Sequence, residues 1–463
     1  MVTQWQLRSA FAQRLSDMYG REVPAYTTLV DVSREVNAAV IADLGPAAER
    51  LGSLRRVTAE RHGAIRVGTP AEMAQVGRIF GAMGMYPVGF YDLREASESA
   101  VPVVSTAFRP VDADELARNP FRVFTSLLTP TDRRFFTADL QDQLDGFLAD
   151  RELFGPELLS LADRAEADGE LDDATAERFL ALAVEAFELS PEPVDRAWYE
   201  TLERVSAVAA DIGGVASTHI NHLTPRVLDI DALYRAMTAR GIAMIDAIQG
   251  PPRWSGPDVL LRQTSFRALA EERPLREADG SVTTGALRVR FGEVEARGIA
   301  LTESGRARYE ELLEATDRRV ADDPQAVAAE VARDVWEHGF PTSETVLAAD
   351  GLAYFDFHAV PTTGTGGGTP PAGLAAQLEQ GWVRAEPIVY EDFLPRSAAG
   401  IFQSNLTDAG TRDLDREGAA YDSAWMSGVL GREVLDPYQL YAARSDASLA
   451  AARSSLGLAP TAD

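Results

Sequence analysis

The chain has 463 residues, a net charge of -27 and no cysteine, and arginine supplies all 44 of its basic side chains. Disulfides, thiolate metal sites and cysteine nucleophiles are therefore excluded, and any transition-metal site must use His, Asp or Glu. So acidic a surface argues against nucleic acid and anionic lipid as partners, and an anionic ligand must be met by arginine, whose planar fork suits carboxylates.

The opening stretch "MVTQWQLRSAFAQRLSDMYG" carries scattered charges and no continuous apolar core. It reads as neither signal peptide nor membrane span, so a cytoplasmic, membrane-free protein is expected. Residues 1–55 read as helical, because "TLVDVSREVNAAVIADLG" spaces its apolar residues at the helical period and closes on glycine. Residues 56–127 change character: strand "HGAIRVGT", helix "PAEMAQVGRIFGAMG", strand "YPVGFYDL" and the β-branched run "VPVVSTAF". Residues 128–208 return to acidic amphipathic helices, including "DDATAERFLALAVEAFEL".

Strand-like sequence resumes in 209–305 with "VASTHINHLTPRVLDIDALYRAMTARGIAMIDAIQG". A fixed shift of 157 residues carries His62 onto His219 and Gly84 onto Gly241. The order strand, helix, glycine, strand thus recurs, as expected for two copies of one unit. Further on, "GALRVRFGEVEARGIALT" reads as a strand placing Leu287, Val289, Phe291 and Glu293 on one face. A carboxylate on an apolar face is costly unless it is paired or ligates a metal. Residues 306–463 add helices, the strand-like "LAYFDFHAV" and a glycine-rich run, "PTTGTGGGTPPAG", which lacks the Lys and Ser/Thr of a phosphate-binding loop. His338 is expected near a helix end and His358 in a strand core, and no G-x-S-x-G elbow appears.

His219 and His222 are an odd number of residues apart, so a strand sends them to opposite faces. The repeat shift selects His219. With His62 and Glu293 it makes two imidazoles and a carboxylate, the facial triad that leaves Fe(II) open positions for a chelating substrate and dioxygen. His222 and Glu295 are the alternative ligands. Arg66 shares the strand face of His62, about 13 Å along, and could lean back to receive the far end of a chelated acid.

These residues carry a resemblance. Paired βαβββ units with a histidine opening each copy and a glutamate late in the second resemble the vicinal oxygen chelate fold. That fold implies an α+β half-open barrel with helical N-terminal, inserted and C-terminal segments. "RFGEVEARG" is similar to the ligand-glutamate segment of 4-hydroxyphenylpyruvate dioxygenases, which places the ligand at Glu293. More closely, "ERHGAIRVGT", "NHLTPR", "FGEVEARGIALT" and "SAAGIFQSNL" resemble the bacterial 2-oxoadipate dioxygenase/decarboxylase family over nearly the whole chain. The resemblance implies Fe(II) held by His62, His219 and Glu293, with Arg66 on the substrate's distal carboxylate and Arg396 and Ser397 against the substrate. Arg396 stands where an apolar residue is expected, which bears on how the distal carboxylate fits. The implied reaction takes O2 and a dicarboxylic 2-oxo acid, 2-oxoadipate, to 2-hydroxyglutarate and CO2. The competing readings are a non-redox metal-dependent isomerase or lyase of the same fold, and a small-molecule binding protein.

Overall fold

The computed structural model of the protein describes residues 1–458 except 96–100, 269–270, 288–289, 324, 326, 361–368, 396–411, 414–415 and 417. Two long helices, α1 (Gln4–Glu22) and α2 (Pro24–Leu44), begin the chain. The first strand set is β1 (Arg61–Val67), α3 (Pro70–Gly81), β2 (Tyr86–Asp92), β3 (Val103–Arg109) and β4 (Arg122–Leu128). Five helices follow: α4 (Ala138–Ala149), α5 (Pro156–Asp168), α6 (Asp173–Glu185), α7 (Arg196–Glu203) and α8 (Ala207–Gly213). The second set is β5 (His222–Pro225), α9 (Ile230–Ala239), β6 (Leu261–Phe266), β7 (Glu271–Arg276), β8 (Val282–Leu287) and β9 (Gly292–Arg297). The C-terminal region contributes further helices and the antiparallel strands Phe355–Ala359 and Val383–Pro387.

Local chemistry sets the helix ends. Thr69 and Glu72 form a capping box at the start of α3: the Thr69 hydroxyl accepts from the Glu72 amide, and the Glu72 carboxylate accepts from the Thr69 amide, both at 3.1 Å. Asp229 caps α9 by accepting from the Ala232 amide. Just beyond the two helices, Gly84 and Gly241 take φ of +66° and +78°, left-handed values that suit glycine.

The main sheet has the order β2-β3-β4-β1-β5. β1 runs parallel to β4 and antiparallel to β5, with His62 opposite Thr224 and Ala64 opposite His222. β5 is linked in turn to β9 through a parallel bridge between Arg226 and Glu295, and β9 pairs antiparallel with β6. Among the described residues, none of the sheets closes. β1, β3 and β4 are buried along their whole length, because both faces are covered. Ile65, Val67, Phe108 and Val123 pack outward with α1, α3, α5 and α6. Ala64, Ala107 and Phe124 pack inward with Tyr199, Leu202 and Ala210 of α7 and α8. The inserted helices therefore cover both faces of the sheet. A third core belongs to the C-terminal region around Trp336 and Tyr441. Among the described residues, no helix is long and apolar enough to cross a membrane.

The expected continuous strand 285–302 is broken. β8 ends at Leu287, where it pairs with β7, and β9 starts afresh at Gly292 on β6. A Cβ at Gly292 would lie 1.8 Å from the Phe266 ring, so only glycine fits where the two chains meet. His358, expected in a strand core, is exposed and lies 3.4 Å from Glu386. The glycine-rich run falls mostly outside the described residues.

Candidate metal centre

Three strands meet at the inner face of β1. His62 comes from β1, His222 opens β5, and Glu293 is the second residue of β9. One donor atom from each lies within 4.8 Å of the others, and all three side chains are buried. His62 Nε2 is 3.4 Å from Glu293 Oε1, and His222 Nε2 is 3.5 Å from Glu293 Oε2. Both imidazoles thus aim Nε2 at one carboxylate.

The structure brings His222, rather than His219, into this group. His219 is not in this group. Its Nε2 lies 3.4 Å from Asp211 Oδ1 and 3.1 Å from the Asn221 amide. The two histidines part company, though not by strand parity, since residues 218–221 lie outside β5; the fixed shift pointed to His219, whereas His222 is the one that lies beside His62 and Glu293. Gly84 and Gly241 are 157 residues apart, whereas His62 and His222 are 160 apart. The second copy is shorter between strand and helix end, so a shift matched on the glycines slides the histidine by three. The motif "NHLTPR" itself contains His222.

Glu293 and Glu295 share the inward face of β9 but have different surroundings. Glu295 is gripped by Arg297 through Nε at 2.6 Å and Nη2 at 2.9 Å, with Arg122 Nη1 at 3.3 Å. Its Oε2 lies 2.9 Å from His62 Nδ1. Burial alone would raise its pKa, but Arg297, His62 and Arg122 hold it at about 2. Glu295 is thus a permanent anion that faces the Nδ1 edge of His62 and leaves Nε2 for a ligand bond. No arginine among the described residues bonds Glu293, and burial pushes its carboxyl up. Burial would likewise lower His62, yet Glu295 and Glu293 beside it carry it above its ordinary value. Burial, with His62 and Arg66 nearby, holds His222 well below, so its ring is neutral and its lone pair available.

The walls are aromatic. Phe393 stands edge-on to His62 with ring centroids 5.0 Å apart, and Phe291 lies 5.2 Å from His222. Arg66 lies on the His62 face, is buried, and is ion-paired with Asp211 of α8. Asn221 also donates to Asp211, at 2.9 Å. Arg396 and Ser397, which follow Phe393 by three and four positions, lie outside the described residues.

Sequence reasoning missed Asp211, Asn221 and the arginines around Glu295. Their signal is tertiary, since Asp211 meets Arg66 from 145 residues away.

A neutral imidazole, a second imidazole whose far nitrogen lies 2.9 Å from the Glu295 carboxylate, and a carboxylate with no arginine partner among the described residues fit a divalent metal ion. This donor chemistry, buried among aromatic rings, fits the metal site of an enzyme. Comparison with known proteins then gives the family. Residues 11–405 match the family model described as 2-oxoadipate dioxygenase/decarboxylase, and the chain belongs to that family. It is 58% identical over 437 residues to the 2-oxoadipate dioxygenase/decarboxylase of Mycobacterium tuberculosis, covering 94% of this chain and 95% of that one. It is 40% identical over 449 residues to that of Escherichia coli, covering 95% and 96%. The crystal structure of hydroxyglutarate synthase from Pseudomonas putida in complex with 2-oxoadipate superposes with a TM-score of 0.83 at 39% identity, covering 99% of both chains.

Proposed function

We propose that the protein is an Fe(II)- and O2-dependent enzyme that converts 2-oxoadipate to 2-hydroxyglutarate and CO2. The observation that carries this reading is the convergence of His62, His222 and Glu293 at one buried point in a chain of this family. Both oxygen atoms of O2 end in the products, so no external reductant is required. We further read residues 56–127 and 209–305 as two βαβββ modules of the vicinal oxygen chelate type. The remaining segments, 1–55, 128–208 and 306–463, pack around them.

His62, His222 and Glu293 would hold the metal, replacing the His219 of the sequence reading. When bound, iron supplies a Lewis-acidic, redox-active centre for the oxo acid and dioxygen. The protein's own residues do the rest. Glu295, 2.9 Å from His62 Nδ1, places a negative charge at the ring edge opposite Nε2. Arg66 supplies positive charge for the carboxylate at the far end of the substrate, and Asp211 fixes where that charge sits. Phe393, Phe124 and Tyr91 line the inner face together and exclude water.

Oxygen uptake by anaerobically purified, Fe(II)-reconstituted protein tests this. Uptake with 2-oxoadipate, matched mole for mole by CO2 and 2-hydroxyglutarate, is expected, with little uptake on 2-oxoglutarate or 4-hydroxyphenylpyruvate. Bound iron without uptake on 2-oxoadipate would move the substrate. Turnover of a small molecule with Zn or Mn and no oxygen requirement would replace the reading with a lyase or isomerase.

A further inference from the structure

The segments that carry two of the three donors are tied together by a side chain from a distant helix. Tyr19 lies in the last turn of α1, at the end of the buried face formed by Leu7, Phe11, Leu15 and Met18. Its hydroxyl donates to the carbonyl oxygens of Asn221 and Phe291, both at 3.0 Å. Asn221 directly precedes His222, and Phe291 stands two residues before Glu293. One buried proton is therefore shared between the peptides that lead into β5 and β9. Burial pushes the phenol pKa up, so the hydroxyl keeps that proton at neutral pH.

The tie falls where backbone pairing is sparse. Among the described residues, β5 and β9 share one bridge, between Arg226 and Glu295, beside which the Val227 amide donates to the Glu295 carbonyl at 2.8 Å. Four residues back along each chain stand His222 and Phe291, and there the Tyr19 hydroxyl does what a ladder would do. The phenol is itself held in place. Arg290 lies over the Tyr19 ring, 5.4 Å from its centre. The same arginine pairs with Glu22, three residues on in α1, and donates to Glu271 of β7 at 2.9 and 3.0 Å. Tyr26 of α2 meets the Tyr19 ring edge-on, with centroids 5.1 Å apart. The Asn221 peptide is pinned from its other side, since its amide donates to the Ala64 carbonyl of β1 at 2.9 Å. The end of α1 is thus fixed against both segments that present donor atoms.

We infer that Tyr19 is a positioning residue of the metal centre: its hydroxyl fixes the separation of the Asn221 and Phe291 peptides, so that His222 and Glu293 face each other before a metal ion arrives. This rests on the metal site of the proposed activity and not on the identity of the oxo acid. Preorganisation raises affinity because the free protein has already met the cost of ordering the donors. Without the hydroxyl the two segments relax, and binding must draw them back together. Both carbonyls also lose a donor, which weakens the fold. A purely structural tyrosine would show the second effect alone.

The test titrates Co(II), whose visible bands report its coordination, into the metal-free full chain and compares Tyr19→Phe with the unmodified protein well below their melting temperatures. Tyr19→Phe deletes one oxygen atom and keeps the packed ring, so the variant folds. Tyr234→Phe is the control, because the Tyr234 hydroxyl donates to the single carbonyl of Ile245, at 2.9 Å, away from the donor residues. Tyr19→Phe is expected to bind Co(II) about 10-fold more weakly, a change of about 1.4 kcal/mol, with altered visible bands for the bound ion. Tyr234→Phe should lower the melting temperature and leave Co(II) affinity and spectrum unchanged. Equal affinity and an equal spectrum for Tyr19→Phe and the unmodified chain overturn the inference, whatever happens to the melting temperature. An equal loss of affinity in Tyr234→Phe also overturns it, because affinity would then follow stability alone. No Co(II) binding by the unmodified chain overturns the metal centre and this inference with it. The measurement uses no oxo acid, so its result stands whether or not 2-oxoadipate is turned over.

Discussion

Glu293 and Glu295 are two positions apart on one strand face, and only their neighbours separate their tasks. Arg297 and Arg122 saturate Glu295, whereas both histidine Nε2 atoms face Glu293. Metal analysis of variants should follow this division. Glu293→Ala and His222→Ala are expected to lose the metal. His219→Ala is expected to keep it, because its partners are Asp211 and Asn221. Glu295→Gln should retain the site with affinity lowered about 10- to 100-fold, as for other carboxylates that orient a ligating histidine. Metal loss in His219→Ala with retention in His222→Ala would reverse the assignment. The sequence made the residue types legible, along with the inward face of Glu293. It could not choose between histidines three apart, because that choice depends on which residue begins the paired strand.

The elements show why. Residues 218–221 precede β5 without joining it, and pairing begins at His222 opposite Ala64. The strand–helix–glycine order was visible in both copies because capping residues and left-handed glycines leave local marks. Differences in loop length between the copies leave none. The break at Gly292 is another case, since the periodicity of "LRVRFGEVEA" runs through it while the chain changes partner from β7 to β6. Gly292→Ala should therefore destabilise the protein by about 1–3 kcal/mol through overpacking against the buried Phe266 ring, read as a lower denaturant midpoint. An unaffected midpoint would mean that the ring yields without strain.

Across the whole molecule, a buried ionic network ties the C-terminal region to the site. Arg122 bonds Glu60 at 2.8 Å and also bonds Glu391, while Arg226 bonds Glu60 at 2.8 Å. Next to it, Arg109 grips Asp392 at 2.7 and 3.0 Å. Although burial opposes ionisation, the surrounding arginines hold Glu60, Glu295 and Glu391 below the ordinary carboxylate value of 4.5. A carboxylate depressed in the folded state adds stability that is fully present above its unfolded pKa and is lost as pH falls through the folded one. The contribution of these carboxylates should accordingly hold down to about pH 4.5 and be lost toward pH 2, a steep phase below the shallower loss that the buried, neutral His219 and His222 begin under pH 6.5, and circular dichroism against pH would follow both. Resistance to unfolding across that window would show that the network is not coupled to folding.

The sequence alone determined the chemical vocabulary: no thiols, arginine as the sole cation, few histidines, and strand and helix periods strong enough to expose two related units and an inward glutamate. These are local properties, set by residue type and spacing along the chain. Only the tertiary structure decided that His222 lies beside His62, that Glu295 faces His62, and that Asp211 holds Arg66. Each of those facts depends on which distant segments are brought together, and a buried charge takes its role from the neighbours that desolvate or neutralise it.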